Sequence, residues 1–186
     1  MKGMRMTCPG GMKAPRAGRR AMAAAGLALA LAFGPLPGHA GQRDATGAYA
    51  LYARGDYQAA AALLEPLAFA GDAKAQGLLG FLYEYGRGVP QSYVAAANWY
   101  ASAADQGEAT AQYLLGLAYD KGHGVPKDVI YSQKWLILAA ARATRHERDV
   151  YTRVRDAVAS KMSPAQLAVA QRLALEWVPA PPLPVR

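Results

Sequence analysis

One pattern returns along this chain at a spacing of 36 residues, and it restricts the possible folds more than any other feature. Ala75-Gln76 returns as Ala111-Gln112, Leu79-Gly80 as Leu115-Gly116, and Tyr83 as Tyr119. Gly86-Arg87-Gly88-Val89-Pro90 returns as Gly122-His123-Gly124-Val125-Pro126, Trp99 as Trp135, and Ala103-Ala104 as Ala139-Ala140. A weaker copy lies upstream, where Tyr57 to Gly71 align with Tyr93 to Gly107. A repeat of this length marks one small supersecondary unit built several times and stacked. Each unit holds two segments of about a dozen residues, too short to be stable helices alone in water. Their apolar stripes must be covered by neighbouring units. Alanine is abundant, β-branched residues are sparse and 53% of the chain is apolar, which favours closely packed helices.

Within a unit, positions 75, 79, 80, 82 and 83 fall on one helical face. Gly80 and Gly116 lack side chains there and let a partner helix approach. Gly86 and Gly122 stand just past the first helix, where a left-handed cap suits glycine. Gly88 and Gly124 permit a second bend, and Val89 anchors the loop. Pro90 prevents the helix from continuing, and Ser92 and Asp128 are placed to N-cap the second helix. Trp99 and Trp135 read as core.

These residues resemble the Sel1-like repeat, whose pattern is A-x-x-x-L-G-x-x-Y-x-x-G-x-G-V followed by A-x-x-W and A-A-x-x-G. The resemblance implies an all-α, right-handed α-solenoid of about four antiparallel helix pairs, of the Sel1/tetratricopeptide-like kind. Residues 73–143 hold the two full repeats, and 41–72 form a tetratricopeptide-like pair with a tight turn at Gly55-Asp56. Ala143 replaces the glycine expected there, and the pattern stops. Residues 144–178 read as capping helices, with Ser163-Pro164 as a helix start, and 179–186 as a proline-rich extended tail.

The first forty residues differ from the rest. Lys2, Arg5, Lys13, Arg16, Arg19 and Arg20 precede an apolar run from Ala21 to Phe33, a Gly/Pro break, and a small-residue site ending at Ala40. This is the layout of a cleavable secretory signal. The run is too short for a span of about twenty residues. The expected protein is therefore periplasmic or secreted, with no transmembrane anchor after cleavage. The chain carries 21 basic and 13 acidic residues, net +8; losing the six basic residues of the signal leaves 15 against 13, net +2. The basic balance belongs to the signal and gives no ground for nucleic-acid binding. Cys8, the one cysteine, leaves with it.

Chemistry is sparse. His123 fills the variable position of a turn where the other repeat has Arg87, which reads as a spacer. His146 lies in a charged stretch, and one histidine without a spaced companion is a poor metal site. The G-x-G turns lack the third glycine of a dinucleotide fingerprint, since Gln91 and Lys127 stand there. The chain beyond residue 40 has no G-x-S-x-G elbow and no S-x-x-K. Some relatives of the resembled family are cysteine-rich and linked to β-lactam binding; the cysteine pairs are absent here. The expectation is no enzyme, no metal and no cofactor.

A solenoid offers an inner face built by the first helix of each pair. Counting from the core positions places Lys74, Gly77, Phe81, Glu84 and Tyr85 there, then Thr110, Tyr113, Leu117, Asp120 and Lys121, with Tyr49 and Tyr52 from the first unit. Tyr49, Phe81 and Leu117 form an apolar ladder, although Phe81 and Leu117 could equally pack between repeats. Glu84 and Asp120, equivalent positions, could form a catalytic pair, but stacking puts them on one face, which favours an acidic ladder toward a ligand and, above that, simple solvation. The function expected is an interaction module or adaptor in the bacterial envelope, holding a peptide segment of another exported protein. Two other readings are a cell-wall-active or β-lactam-related hydrolase on a helical scaffold, and a structural subunit of an envelope secretion or polysaccharide export assembly.

Overall fold

The computed structural model describes residues 46–181, which form helices and connecting turns with no strand. The first helix, α1, covers 46–53 as far as the described residues extend. It is followed by α2 (Tyr57–Phe69), α3 (Ala73–Tyr85), α4 (Tyr93–Asp105), α5 (Ala109–Lys121), α6 (Val129–Arg142), α7 (Arg148–Ala159) and α8 (Pro164–Leu175). Three helix pairs follow one another as an α-solenoid, and α7 and α8 both pack on α6. The signal segment, residues 41–45 and the tail 182–186 lie outside the described residues. No described helix is long and apolar enough to cross a membrane.

Local chemistry places the boundaries. Asp72 accepts from the Ala75 N–H at 2.8 Å, and Glu108 takes the equivalent place on Ala111. Ser92 accepts from Ala95 at 3.2 Å, and Asp128 from Ile130 and Tyr131 at 2.8 and 3.0 Å. Gly86 and Gly122 close α3 and α5 at φ 64° and 75°. Ser163 and Gln166 form a reciprocal capping box, with Pro164 in the first turn of α8.

The helices of a pair meet at glycine. A Cβ on Gly80 would stand 2.8 Å from the Tyr100 ring, and one on Gly116 would stand 2.8 Å from Leu136 Cγ. Tyr100 and Leu136 are themselves equivalent positions, and both are buried. Around them lie two clusters. One joins Ala48, Leu64, Ala75, Leu79 and Leu82; the other joins Ala96, Tyr100, Ala111, Leu115, Trp135 and Leu138. Tyr83 packs against both and links the first repeat to the next.

Successive pairs are joined by two further devices. The G-x-G-V-P turn of each repeat sits on the start of the second helix of the preceding pair. A Cβ on Gly88 would overlap the Tyr57 carbonyl, and one on Gly124 the Tyr93 carbonyl. The residue between the glycines then covers the tyrosine ring. The Arg87 guanidinium lies 5.2 Å from the Tyr57 ring centre, and the His123 ring lies tilted against Tyr93 at 4.4 Å. The variable position is thus a contact rather than a spacer. The next residue in that series is Val129, where no further turn follows.

The second device is a buried amide. Gln76 Nε2 donates to the Ala68 carbonyl at 3.0 Å, and Gln112 Nε2 to the Ala104 carbonyl at 3.1 Å. Each stitches a first helix to the end of the preceding second helix. Gln76 Oε1 accepts from Gln106 at 2.8 Å. The residue equivalent to Gln106 is Arg142, whose guanidinium lies instead over Trp177 at 4.5 Å. Gln112 Oε1 has no partner among the described residues. Trp177 also meets the Trp135 ring edge-on at 6.2 Å, so the end of the array is covered by the segment after α8. Ala180 N–H then donates to the Asp105 carbonyl at 2.7 Å.

The two tryptophans differ in burial. Trp135 is buried, whereas Trp99 is half-buried against Phe69, which is itself 69% exposed. Trp99 has no counterpart of Trp177 to cover it.

Gly77 and Gly80 lie one turn apart in α3 but differ in surroundings. A Cβ on Gly77 meets only Glu108 Oε2 at 3.6 Å and Ala111 Cβ at 3.8 Å. Gly80→Ala should cost about 1–3 kcal/mol through overpacking. Gly77→Ala should gain about 0.5–1 kcal/mol by restricting the unfolded chain. Urea unfolding of the two variants measures both; equal effects would show that the Tyr100 contact does not set the helix spacing.

Candidate functional site

The first helices of successive pairs, α1, α3 and α5, lie side by side. On α3, Lys74, Gly77, Leu78 and Phe81 follow the i, i+3, i+4, i+7 spacing and form one stripe. Tyr49 and Tyr52 flank it from α1, and Glu108, Thr110 and Leu114 from the start of α5. Together they line an apolar cavity of about 200 Å³. The cavity sits over Gly77, where the next repeat has Tyr113; a tyrosine in α3 would fill it. Tyr49 closes one wall by donating its hydroxyl to the Lys74 carbonyl at 3.3 Å.

An aromatic cluster continues from the cavity toward the turn. Tyr52 meets Phe81 edge-on at 6.1 Å and Tyr57 at 5.4 Å, and Phe81 meets Tyr85 at 4.5 Å. Arg87 lies against this cluster, 5.7 Å from Phe81 and 5.5 Å from Tyr85, and its Nη1 donates to the Tyr52 hydroxyl at 3.3 Å. Tyr52 and Phe81 are therefore walls of the cavity and supports of the guanidinium at once.

Of the residues expected on the inner face, Tyr49, Tyr52, Lys74, Gly77, Phe81 and Thr110 come together around the cavity. The others do not. Leu117 is half-buried outside it. Tyr113 stacks on Tyr151 of α7 at 4.3 Å, within a small core formed with Ala139, Ala140 and Ala143. Glu84 and Asp120 are not an acidic ladder. Glu84 accepts the buried Tyr100 hydroxyl at 2.7 Å, and Asp120 pairs with Lys161 at 3.2 Å. The partners come from different elements, so equivalent carboxylates take unrelated roles. The cavity residues Leu78 and Leu114 and the neighbouring Arg87 were missed. Leu78 and Leu114 recur at the 36-residue spacing beside Leu79 and Leu115, and that recurrence was the available signal.

Tyrosine hydroxyls, wholly or partly withdrawn from water, mark the surroundings electrostatically. Burial, then the charges of Glu108 and Asp72, pushes Tyr49 up to about 12 from its ordinary 10. Burial likewise pushes Tyr151 up to about 12, helped by Glu147 and Glu108. Tyr100 is raised further, by burial and then by its bond to Glu84. Among the described residues no group of three or more His, Cys, Asp or Glu could hold a metal ion.

Comparison with known proteins agrees with this architecture. The family model of the Sel1 repeat matches residues 73–108 and 109–143. The chain carries two Sel1 repeats. Among solved structures, it is similar to a protective antigen of uropathogenic Escherichia coli strains displaying an SLR fold, with 26% identity and a TM-score of 0.68. That likeness covers 74% of this chain and 29% of the antigen. A Sel1 repeat protein from Oxalobacter formigenes is similar at 30% identity and a TM-score of 0.55, over 73% of this chain and 54% of that one. The chain thus spans less than a third of the first and about half of the second. No curated protein matches it. Sel1 repeat proteins are interaction scaffolds as a kind, and this chain has that architecture.

The tyrosines give a pH dependence with a definite sign. Their folded-state values are raised, so the unfolded chain loses its phenolic protons first. The stability they contribute is complete below pH 10 and is lost as pH rises from 10 towards about 12 for Tyr49 and Tyr151. Thermal melts across this window should show a falling melting temperature, with a smaller fall in Tyr151→Phe. An unchanged slope in that variant would contradict the burial of its hydroxyl.

Proposed function

We propose that this chain, with its two Sel1 repeats, is an exported interaction module of the cell envelope, which captures a segment of another exported protein in the groove formed by α1, α3 and α5. The observation that carries this reading is the apolar cavity over Gly77. Its volume of about 200 Å³ fits one aromatic or aliphatic side chain. Pockets for whole small-molecule ligands are commonly about 300–1,000 Å³. A groove with one anchor pocket suits a peptide segment, whose remaining contacts run along the helices.

The half-exposed tyrosines support the same reading. Tyrosine presents large rigid area at low conformational cost, and it is enriched at binding hot spots. Export is supported by the basic, apolar and small-residue order of residues 1–40.

Two experiments test the two halves of the proposal. Gly77→Leu should fill the cavity while keeping α3 helical. Capture from the native envelope fraction should then recover a partner with the wild-type chain and lose it with the variant, at similar melting temperature. A partner held equally by both would place binding elsewhere. Intact mass of the exported protein should correspond to a chain beginning at Gly41; a full-length mass in the envelope fraction would contradict signal cleavage.

A further inference from the structure

Arg87 is a cation beside the groove with no acidic partner among the described residues. Its guanidinium packs against Tyr57, Phe81 and Tyr85 at 5.2–5.7 Å, and one of its nitrogens donates to Tyr52. Among the described residues the ion pairs are Arg155–Asp156, Lys161–Asp120 and Arg172–Glu176, and none includes Arg87. The acids around the inner face are already engaged. Glu84 accepts from Tyr100, Asp120 pairs with Lys161, and Asp72 and Glu108 cap α3 and α5. Lys74, the other cation on the cavity rim, shares that rim with Glu108. The uncompensated positive charge therefore lies at the Arg87 end.

A guanidinium presents five N–H donors in a planar fork. Tyr52 takes one. Rings on its faces limit its hydration and fix its orientation, leaving the edge free for a carboxylate, which such a fork can bind with two parallel hydrogen bonds. The equivalent position in the next turn is His123, tilted against Tyr93. The fork is thus peculiar to the turn beside the cavity.

We propose that the groove selects segments bearing a carboxylate side chain two to four residues from an aliphatic or aromatic anchor. The anchor occupies the cavity against Phe81, and the carboxylate pairs with Arg87. An extended chain advances about 3.3 Å per residue. A few residues therefore span the Phe81 ring and the 5.7 Å from its centre to the guanidinium. This rests on the groove being the binding surface, as read above.

The test is selection of a phage-displayed random peptide library on the full-length chain. Enriched sequences should carry Asp or Glu two to four residues from Leu, Ile, Phe, Tyr or Trp. For one selected peptide, replacing that acid by its amide should weaken binding at least tenfold, and raised salt should also weaken it. Arg87→Gln should show the same loss with the original peptide, and Arg87→Glu should select Lys or Arg in place of the acid. Circular dichroism checks that both variants fold; if either does not, the amide exchange on the wild-type chain decides. Acid-free selected sequences, or an amide exchange without effect, would overturn the charge preference while leaving the groove reading standing. Failure to enrich any sequence would count against the groove itself, and the preference would fall with it.

Discussion

Gly80 and Gly116 set the distance at which the helices of each pair meet, and the rest of the architecture is built on that contact. A glycine inside a helix costs about 1 kcal/mol relative to alanine. Here alanine would force its neighbour to shift, because its Cβ would lie 2.8 Å from the Tyr100 ring or from Leu136. Close pairing within each repeat brings Leu79 and Leu115 into the core, and it turns the opposite stripe of α3 away from α4. That stripe, from Lys74 to Phe81, becomes the floor of the groove. The glycine one turn earlier, Gly77, has no collision to avoid and leaves the cavity open. One residue type thus serves packing at one position and vacancy at the other.

Repeat-to-repeat geometry depends on the turn and the buried glutamine. Gly88 and Gly124 let the turn rest on the backbone of the preceding helix, and Gln76 and Gln112 tie the same two pairs at the other end. The two devices are spaced along the helix axis, so they fix orientation as well as contact. The array ends where both fail together. Val129 replaces the tyrosine, no further turn arrives, and Arg148 stands where the next stitching glutamine would, while Arg142, in the place of Gln106, turns to Trp177. The C-terminal segment covers the exposed end of α6 with an indole where a further repeat would have stood.

Much of this was legible in the sequence because repetition carries it. Leu79, Gly80, Tyr83, Gly86 and Gly88, with their copies, announce helix, close contact and turn at fixed places. Helical periodicity also brought Tyr49, Tyr52 and Phe81 to the face that lines the cavity. It failed at the border between core and groove, where one residue is about 100° of rotation. Leu78 and Leu114 were passed over for Leu117 on that account. Tyr113 and Asp120 were misplaced for another reason. Their partners, Tyr151 and Lys161, come from α7 and the turn after it, which do not follow the repeat and so could not be aligned. Arg87 was set aside because its equivalent differs, although both residues cover a tyrosine.

The groove combines an apolar pocket and a rim of tyrosines carried on helices with a guanidinium that rings hold at the adjoining turn. Such a surface is preorganised, and binding to it spends little on ordering the protein. Chemical-shift mapping of the isotope-labelled chain, titrated with a peptide selected on it, reads this surface directly. The account predicts the largest shifts at Tyr52, Gly77, Leu78, Phe81, Arg87 and Leu114, with Trp99 and Trp135 unmoved. Shifts centred on α2, α4 and α6, with the Gly77 stripe unmoved, would contradict it.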